Sequence, residues 1–156
     1  MILYIGADHK GFDLKETLKG FLKDKGYQIE DMGNLTRDPN DNYPDFAKAV
    51  AEKVTSNYEN GRGILVCGSG VGMDIAANKF KHVRAGLALN PNHAYDARND
   101  DDTNVLVLAA DYTTPDTAKK IALTWLTTPF SHEAAHAERL RRIEGIEEQT
   151  MKDATV

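Results

Sequence analysis

One cysteine and one tryptophan stand among 156 residues, and no apolar run approaches the roughly 20 residues that a membrane-crossing helix needs. A lone cysteine excludes an internal disulfide and suits a reducing, cytoplasmic setting. Positive charge is not in excess: 19 Lys and Arg face 24 Asp and Glu, a net charge of −5, which argues against a nucleic-acid surface. An anionic small molecule remains compatible, because a local basic cluster outweighs net charge at short range. The opening Met1-Ile-Leu-Tyr-Ile-Gly6 lacks a basic leader and reads as a strand rather than a signal peptide. Repeats, low-complexity tracts and linkers are missing, so one domain over residues 1–150 is expected, with a frayed tail at 151–156.

Metal and cofactor signals are missing too. The five histidines are scattered, and no His or Cys pair has ligand spacing. The run Asp100-Asp-Asp102 lacks the alternation of a calcium loop and reads as a helix end. The glycine spacing G-x-G-x-G is neither a Walker nor a dinucleotide pattern, and the loops lack aromatic flanks for a flavin. No metal and no cofactor are therefore expected.

What is present is an alternation of short apolar runs and amphipathic stretches. Ile2–Ile5, Tyr27–Asp31, Gly63–Val66, Val83–Leu89 and Val105–Leu108 read as strands. Helices are expected through Leu14, Leu18, Phe21 and Leu22, from Pro44 through Val54, through Ile75, Ala76 and Phe80, and from Pro91 to about Asp100. Two more are expected over 114–127 and 132–148. Such a βαβ alternation implies a single-domain α/β fold. We expect a doubly wound, Rossmann-like or flavodoxin-like parallel five-stranded sheet, helices on both faces and a C-terminal helix. The order 2-1-3-4-5 would set strands one and three side by side, with ligands beyond their carboxyl ends. Asp8, His9 and Cys67 would then share one cleft.

The stretch Val66-Cys-Gly-Ser-Gly-Val-Gly72 ends a strand and opens a helix. Its glycines expose amides that can cradle an oxyanion or phosphate, and the helix N-terminus is expected to lower a nearby thiol pKa. Cys67 is then a credible general base and Ser69 an oxyanion donor. The pattern alone is equally compatible with a buried core cysteine. Asp8-His9 reads either as a polar binding pair or as a turn with a surface histidine. Tyr43-Pro44-Asp45 reads as a sugar-site rim or as a helix cap. Arg139 and Arg142 share a helix face and would make a phosphate clamp or a solvated stripe.

Taken together, "GADHKGFDLK" (6–15), "YPDFA" (43–47), "GILVCGSGVGMDIAANKF" (63–80), "VRAGLAL" (83–89) and "DTNVLVLAA" (102–110) resemble a known family. It is the sugar-phosphate isomerases that include type B ribose-5-phosphate isomerase, allose-6-phosphate isomerase and the galactose-6-phosphate isomerase subunits. The resemblance implies a cofactor-free aldose–ketose isomerisation through a cis-enediolate, ribose 5-phosphate to ribulose 5-phosphate above all. Cys67 matches the base, while Ser69 and the amides of Gly68, Gly70, Val71 and Gly72 match the oxyanion cradle. Asp8, His9 and Tyr43 match residues lining the sugar and phosphate site, and C-terminal arginines, here Arg139 and Arg142, match phosphate ligands. A homodimer or homotetramer with shared sites is implied. Where the family commonly carries His-Asn, with a ring-opening histidine, this chain has Asp100 and Asp101. Asp100 then takes the ring-opening place, with His93 as a compensating candidate. That departure leaves open a hexose 6-phosphate substrate, or a sugar-phosphate-binding protein with impaired turnover.

Overall fold

The computed structural model describes residues 1–151; of the tail expected at 151–156, residues 152–156 lie outside the described residues. Among these, five strands alternate with six helices. They are β1 (Ile2–Ala7), α1 (Phe12–Asp24), β2 (Gln28–Asp31), α2 (Tyr43–Ser56), β3 (Gly61–Cys67), α3 (Val71–Ala77), β4 (Ala85–Leu87), α4 (Pro91–Asn99), β5 (Val105–Ala109), α5 (Pro115–Thr127) and α6 (Ala134–Thr150). The sheet is parallel throughout. No helix of the described residues is long and apolar enough to cross a membrane.

Strand order corrects the expectation: it is 2-1-3-5-4, with β5 between β3 and β4. Composition supplies the reason. All five residues of β5, Val-Leu-Val-Leu-Ala, are fully buried, whereas Ala85-Gly-Leu87 is half-buried along its length and suits an edge. β3 hydrogen-bonds β1 through six register pairs and β5 through five, so it forms the centre of the sheet.

Side-chain alternation divides the core into two layers. Leu3, Ile5, Ile64, Val66, Leu106 and Leu108 face α1, α4 and α5. Tyr4, Leu65, Cys67, Val105 and Val107 face α2 and α3. The helices over β1 and β3 therefore cover opposite faces, which opens a cleft beyond the carboxyl ends of these two strands. α3 is shorter than expected, ending at Ala77 with Phe80 beyond it. α6 buries none of its described residues. It is tethered at one end by the Ser131 amide donating to the Asn99 carbonyl, and at the other by Glu147, which accepts from the His82 amide at 2.6 Å. Between α6, α4 and the β4 edge lies a crevice of ≈ 680 Å³.

Candidate active site

Two turns meet at the switch point. After β1, the Asp8 carboxylate accepts from the amides of Lys10 and Gly11, both at 3.0 Å, which closes the turn into α1. Gly11 lies so close to the end of β3 that an added Cβ would collide with the Val66 carbonyl. The β1 turn is thus seated directly on the residue before Cys67. After β3, Gly70 takes a left-handed conformation (φ 78°) and starts α3, turning its amide back to Cys67 Sγ at 3.2 Å. Ser69 is exposed, and its hydroxyl accepts weakly from the Val71 amide at 3.4 Å.

Cys67 is buried. Its thiol is pushed above the ordinary value, first by burial and further by the charge of Asp8, against the downward pull of the Met73, Gly70 and Ser69 amides. This corrects the expectation of a lowered thiol: in this setting desolvation outweighs the helix end. The same arrangement brings Asp8 and Cys67 into one electrostatic neighbourhood.

His9 is held by a residue that lay unremarked in the polar loop before α2. Asp41 Oδ1 pairs with His9 Nδ1 at 2.7 Å and accepts from the His9 amide at 3.1 Å. Its other oxygen accepts from Asn34 Nδ2 at 3.0 Å. Burial raises the Asp41 carboxyl, but the hydrogen bonds from His9 and Asn34 outweigh it and hold it below the ordinary value. Asp8, His9 and Asp41 offer donor atoms within 4.8 Å of one another, the one cluster with metal-ligand geometry among the described residues. The His9–Asp41 contact already engages two of these groups, so a hydrogen-bonded pair accounts for the cluster.

Tyr43 joins the same rim: a Cβ at Gly72 would sit 2.6 Å from its ring, so only glycine admits the phenol there. Gly68 is similarly overlaid by Lys10 and Asp111, whose charged groups lie 3.5 Å apart. Asp41, Asn34, Lys10 and Asp111 were missed from sequence. A single aspartate in a loop of Asn, Asp and Pro carries no local mark of the histidine it will meet 32 positions away.

The remaining expected residues lie elsewhere. Asp100 caps α4, accepts from Asn99 Nδ2 at 2.7 Å and stands 3.7 Å from His136 Nδ1 of α6. His93 and Asp101 line the α6 crevice. Arg142 and Arg141 both pair with Glu138, while Arg139 makes no hydrogen bond or ion pair among the described residues. Neither Arg139 nor Arg142 is hydrogen-bonded to the β1–β3 cleft.

A thiol beside a turn of amides, an acid–histidine pair and a phenol thus meet at the switch point of a parallel sheet, where folds of this class bind small molecules. The chain belongs to the ribose/galactose isomerase family of sugar-phosphate isomerases, whose family model matches residues 3–143. Its fold superposes with TM-score 0.93 on ribose-5-phosphate isomerase B from Mycoplasma genitalium, solved with bound ribulose-5-phosphate. The two are 39% identical, over 96% of this chain and 97% of that one. Ribose-5-phosphate isomerase B of Escherichia coli is 37% identical over 92% of this chain and 95% of its own length. A 4-deoxy-4-sulfo-D-erythrose isomerase from a Clostridium species is 39% identical over 84% of this chain and 82% of its own. The family and the parallel α/β fold expected from the motifs are thereby shown.

Proposed function

We propose that the chain interconverts ribose 5-phosphate and ribulose 5-phosphate without a cofactor, with Cys67 as the base. The observation that carries this reading is the thiol at the end of β3, seated under the β1 turn and in contact with the Gly70 amide at 3.2 Å. The thiolate takes the proton from C2 of the open-chain aldose, leaving a cis-enediolate. Amides of residues 68–72 and the Ser69 hydroxyl stabilise its developing charge. The thiol, its hydrogen exchanging with solvent while the enediolate lasts, then delivers a proton to C1 as the carbonyl moves to C2, so the sugar is isomerised with no net change in oxidation level. Asp8 and Tyr43 orient hydroxyls, and His9, aligned by Asp41, meets the phosphate end.

Asp100 ends α4, outside the chain's own β1–β3 cleft and 3.7 Å from His136, so ring opening is assigned to Asp100 of a second copy. Arg139 and Arg142 are exposed on α6 and free of the chain's own cleft, so we assign them to the cleft of a second copy. Val71 and Ile75 of α3, 51% and 57% exposed on one helix face beside the site, supply an apolar surface for that copy.

A second reading differs only in substrate. Asp100 in place of a histidine favours a sugar that needs no ring opening. The Clostridium relative is named for a four-carbon sugar whose C4 carries a sulfo group, leaving no hydroxyl there to close a five-membered ring. Assays of purified protein with ribose 5-phosphate, allose 6-phosphate and a four-carbon aldose phosphate separate the readings. Turnover of the pentose phosphate, lost in Cys67→Ala, is expected. Turnover of the four-carbon sugar alone would transfer the assignment to the second reading, and turnover of none would leave a binding protein.

A further inference from the structure

At the opposite end of the sheet from Cys67, a cavity of ≈ 250 Å³ opens between the start of β3 and the end of α5. Arg62 and Arg98 form its cationic wall; Met1, Trp125, Leu126 and Pro129 form its apolar one. Cys67 lies five residue steps beyond Arg62 along β3, about 16 Å at ~3.3 Å per residue. The cavity therefore shares no residue with the β1–β3 cleft.

The charges around it do not balance. Asp102 is the carboxylate of this corner, and its two oxygens are already taken by Arg84 Nη2 at 2.9 Å and Arg98 Nη1 at 2.7 Å. Arg98 is buried and further fixed by the Thr103 carbonyl at 2.6 Å. Among the described residues Arg62 is left with one hydrogen bond, from Nη1 to the carbonyl of its own neighbour Gly61 at 2.9 Å, and no ion pair. Burial, then the charge of Arg98, disfavours its charged form; the charge of Asp102 opposes them and that of Arg84 adds to them more weakly. A guanidinium presents five donors in a planar fork, and leaving most of them unmatched in a half-buried hollow is unfavourable unless an acceptor arrives. The opposite wall is rigid, because the Trp125 indole N–H donates to Thr103 Oγ1 at 2.9 Å while Arg98 lies 5.8 Å from its ring.

We propose that this cavity is a second binding site, for a small oxyanion of the phosphate or carboxylate class, received by the Arg62 fork. Its volume is below that of an ordinary drug-sized pocket, so a nucleotide is too large, while inorganic phosphate or a short dicarboxylate fits. Arg62 supplies paired N–H donors, Arg98 adds charge, and the apolar wall accommodates a few carbon atoms.

The chain's single tryptophan lines this cavity, which makes it a private reporter. Its indole N–H resonance is followed by NMR while phosphate, or malonate in a second series, replaces chloride at constant ionic strength. A saturable shift with at least one of the two anions is expected, and which one saturates separates the phosphate from the carboxylate source. In Arg62→Gln the affinity should fall about tenfold or more, as for the loss of a charge-assisted pair; Arg62→Lys, which keeps the charge without the fork, tests the same point should the glutamine variant not fold. His9→Ala, altered in the other cleft, should leave the titration unchanged. No saturable shift with either anion, an undiminished shift in both Arg62 variants, or a shift abolished by His9→Ala would each overturn the proposal.

Discussion

The Cys67 thiol sits between two opposed influences: burial against α2 and α3, and the amides that turn back from the start of α3. Because burial prevails, the thiol is mainly protonated at neutral pH, and the base form grows as pH rises. kcat/KM should therefore rise on the alkaline side of neutrality, with iodoacetamide alkylation of Cys67 following the same curve. A profile flat from pH 6 to 10 would speak against this thiol as the base. Asp41 acts through His9, so Asp41→Ala should raise KM for the sugar phosphate about tenfold while kcat changes less. An equal loss in kcat with KM unchanged would assign Asp41 to the chemical step. Gly11 is a packing position: a methyl there meets the Val66 backbone, so Gly11→Ala should lower stability by about 3 kcal/mol in urea unfolding.

Among the elements, the join between α1 and β2 depends on charge. Lys15 is fully buried in α1 and donates to both oxygens of Asp31, at 2.9 and 3.0 Å, and to the Asn34 carbonyl at 2.6 Å. Lys19 reaches the same carboxylate at 2.6 Å. Burial raises the Asp31 carboxyl, but the bonds from Lys19, Lys15 and the Gly33 amide outweigh it, holding it below the ordinary value. A depressed acid stabilises the fold above its unfolded pKa, about 3.9, and that contribution is lost as pH falls through the folded value. Asp31→Asn should thus cost about 3 kcal/mol at pH 7, with a smaller further loss below pH 4 than the parent chain shows in urea titrations. The elements themselves were largely legible. The apolar runs of β1, β3 and β5, and the helical spacing of Leu14, Leu18 and Leu22, reflect local burial that a sequence displays directly. Strand order was not, because connections of similar length lead to β4 and β5 alike; only the poorer burial of Ala85–Leu87 marks the edge. Cys67, Asp8 and the glycine turn were legible from motif and topology. Asp41 was not, since its partner is fixed by tertiary folding alone.

On the scale of the whole molecule, α6 is the exposed element. It buries no described residue, and Ile143 and Ile146 remain 43% and 61% exposed although they border the crevice over β4. Together with Val71 and Ile75, this surface predicts self-association, at twice 17.2 kDa or more by light scattering. Ile75→Glu should shift the population to monomer and reduce turnover with it, because Arg139 and Arg142 would no longer reach a second cleft; a fully active monomer would contradict the shared site. Proton transfer by Cys67 is read out by solvent isotope exchange. Ribose 5-phosphate incubated with the protein in D2O should yield ribulose 5-phosphate carrying deuterium at C1 by NMR, and Cys67→Ala, folded by circular dichroism, should yield none. Ketose formed by Cys67→Ala at the rate of the parent chain, or formed by the parent chain with no solvent deuterium at C1, would contradict it.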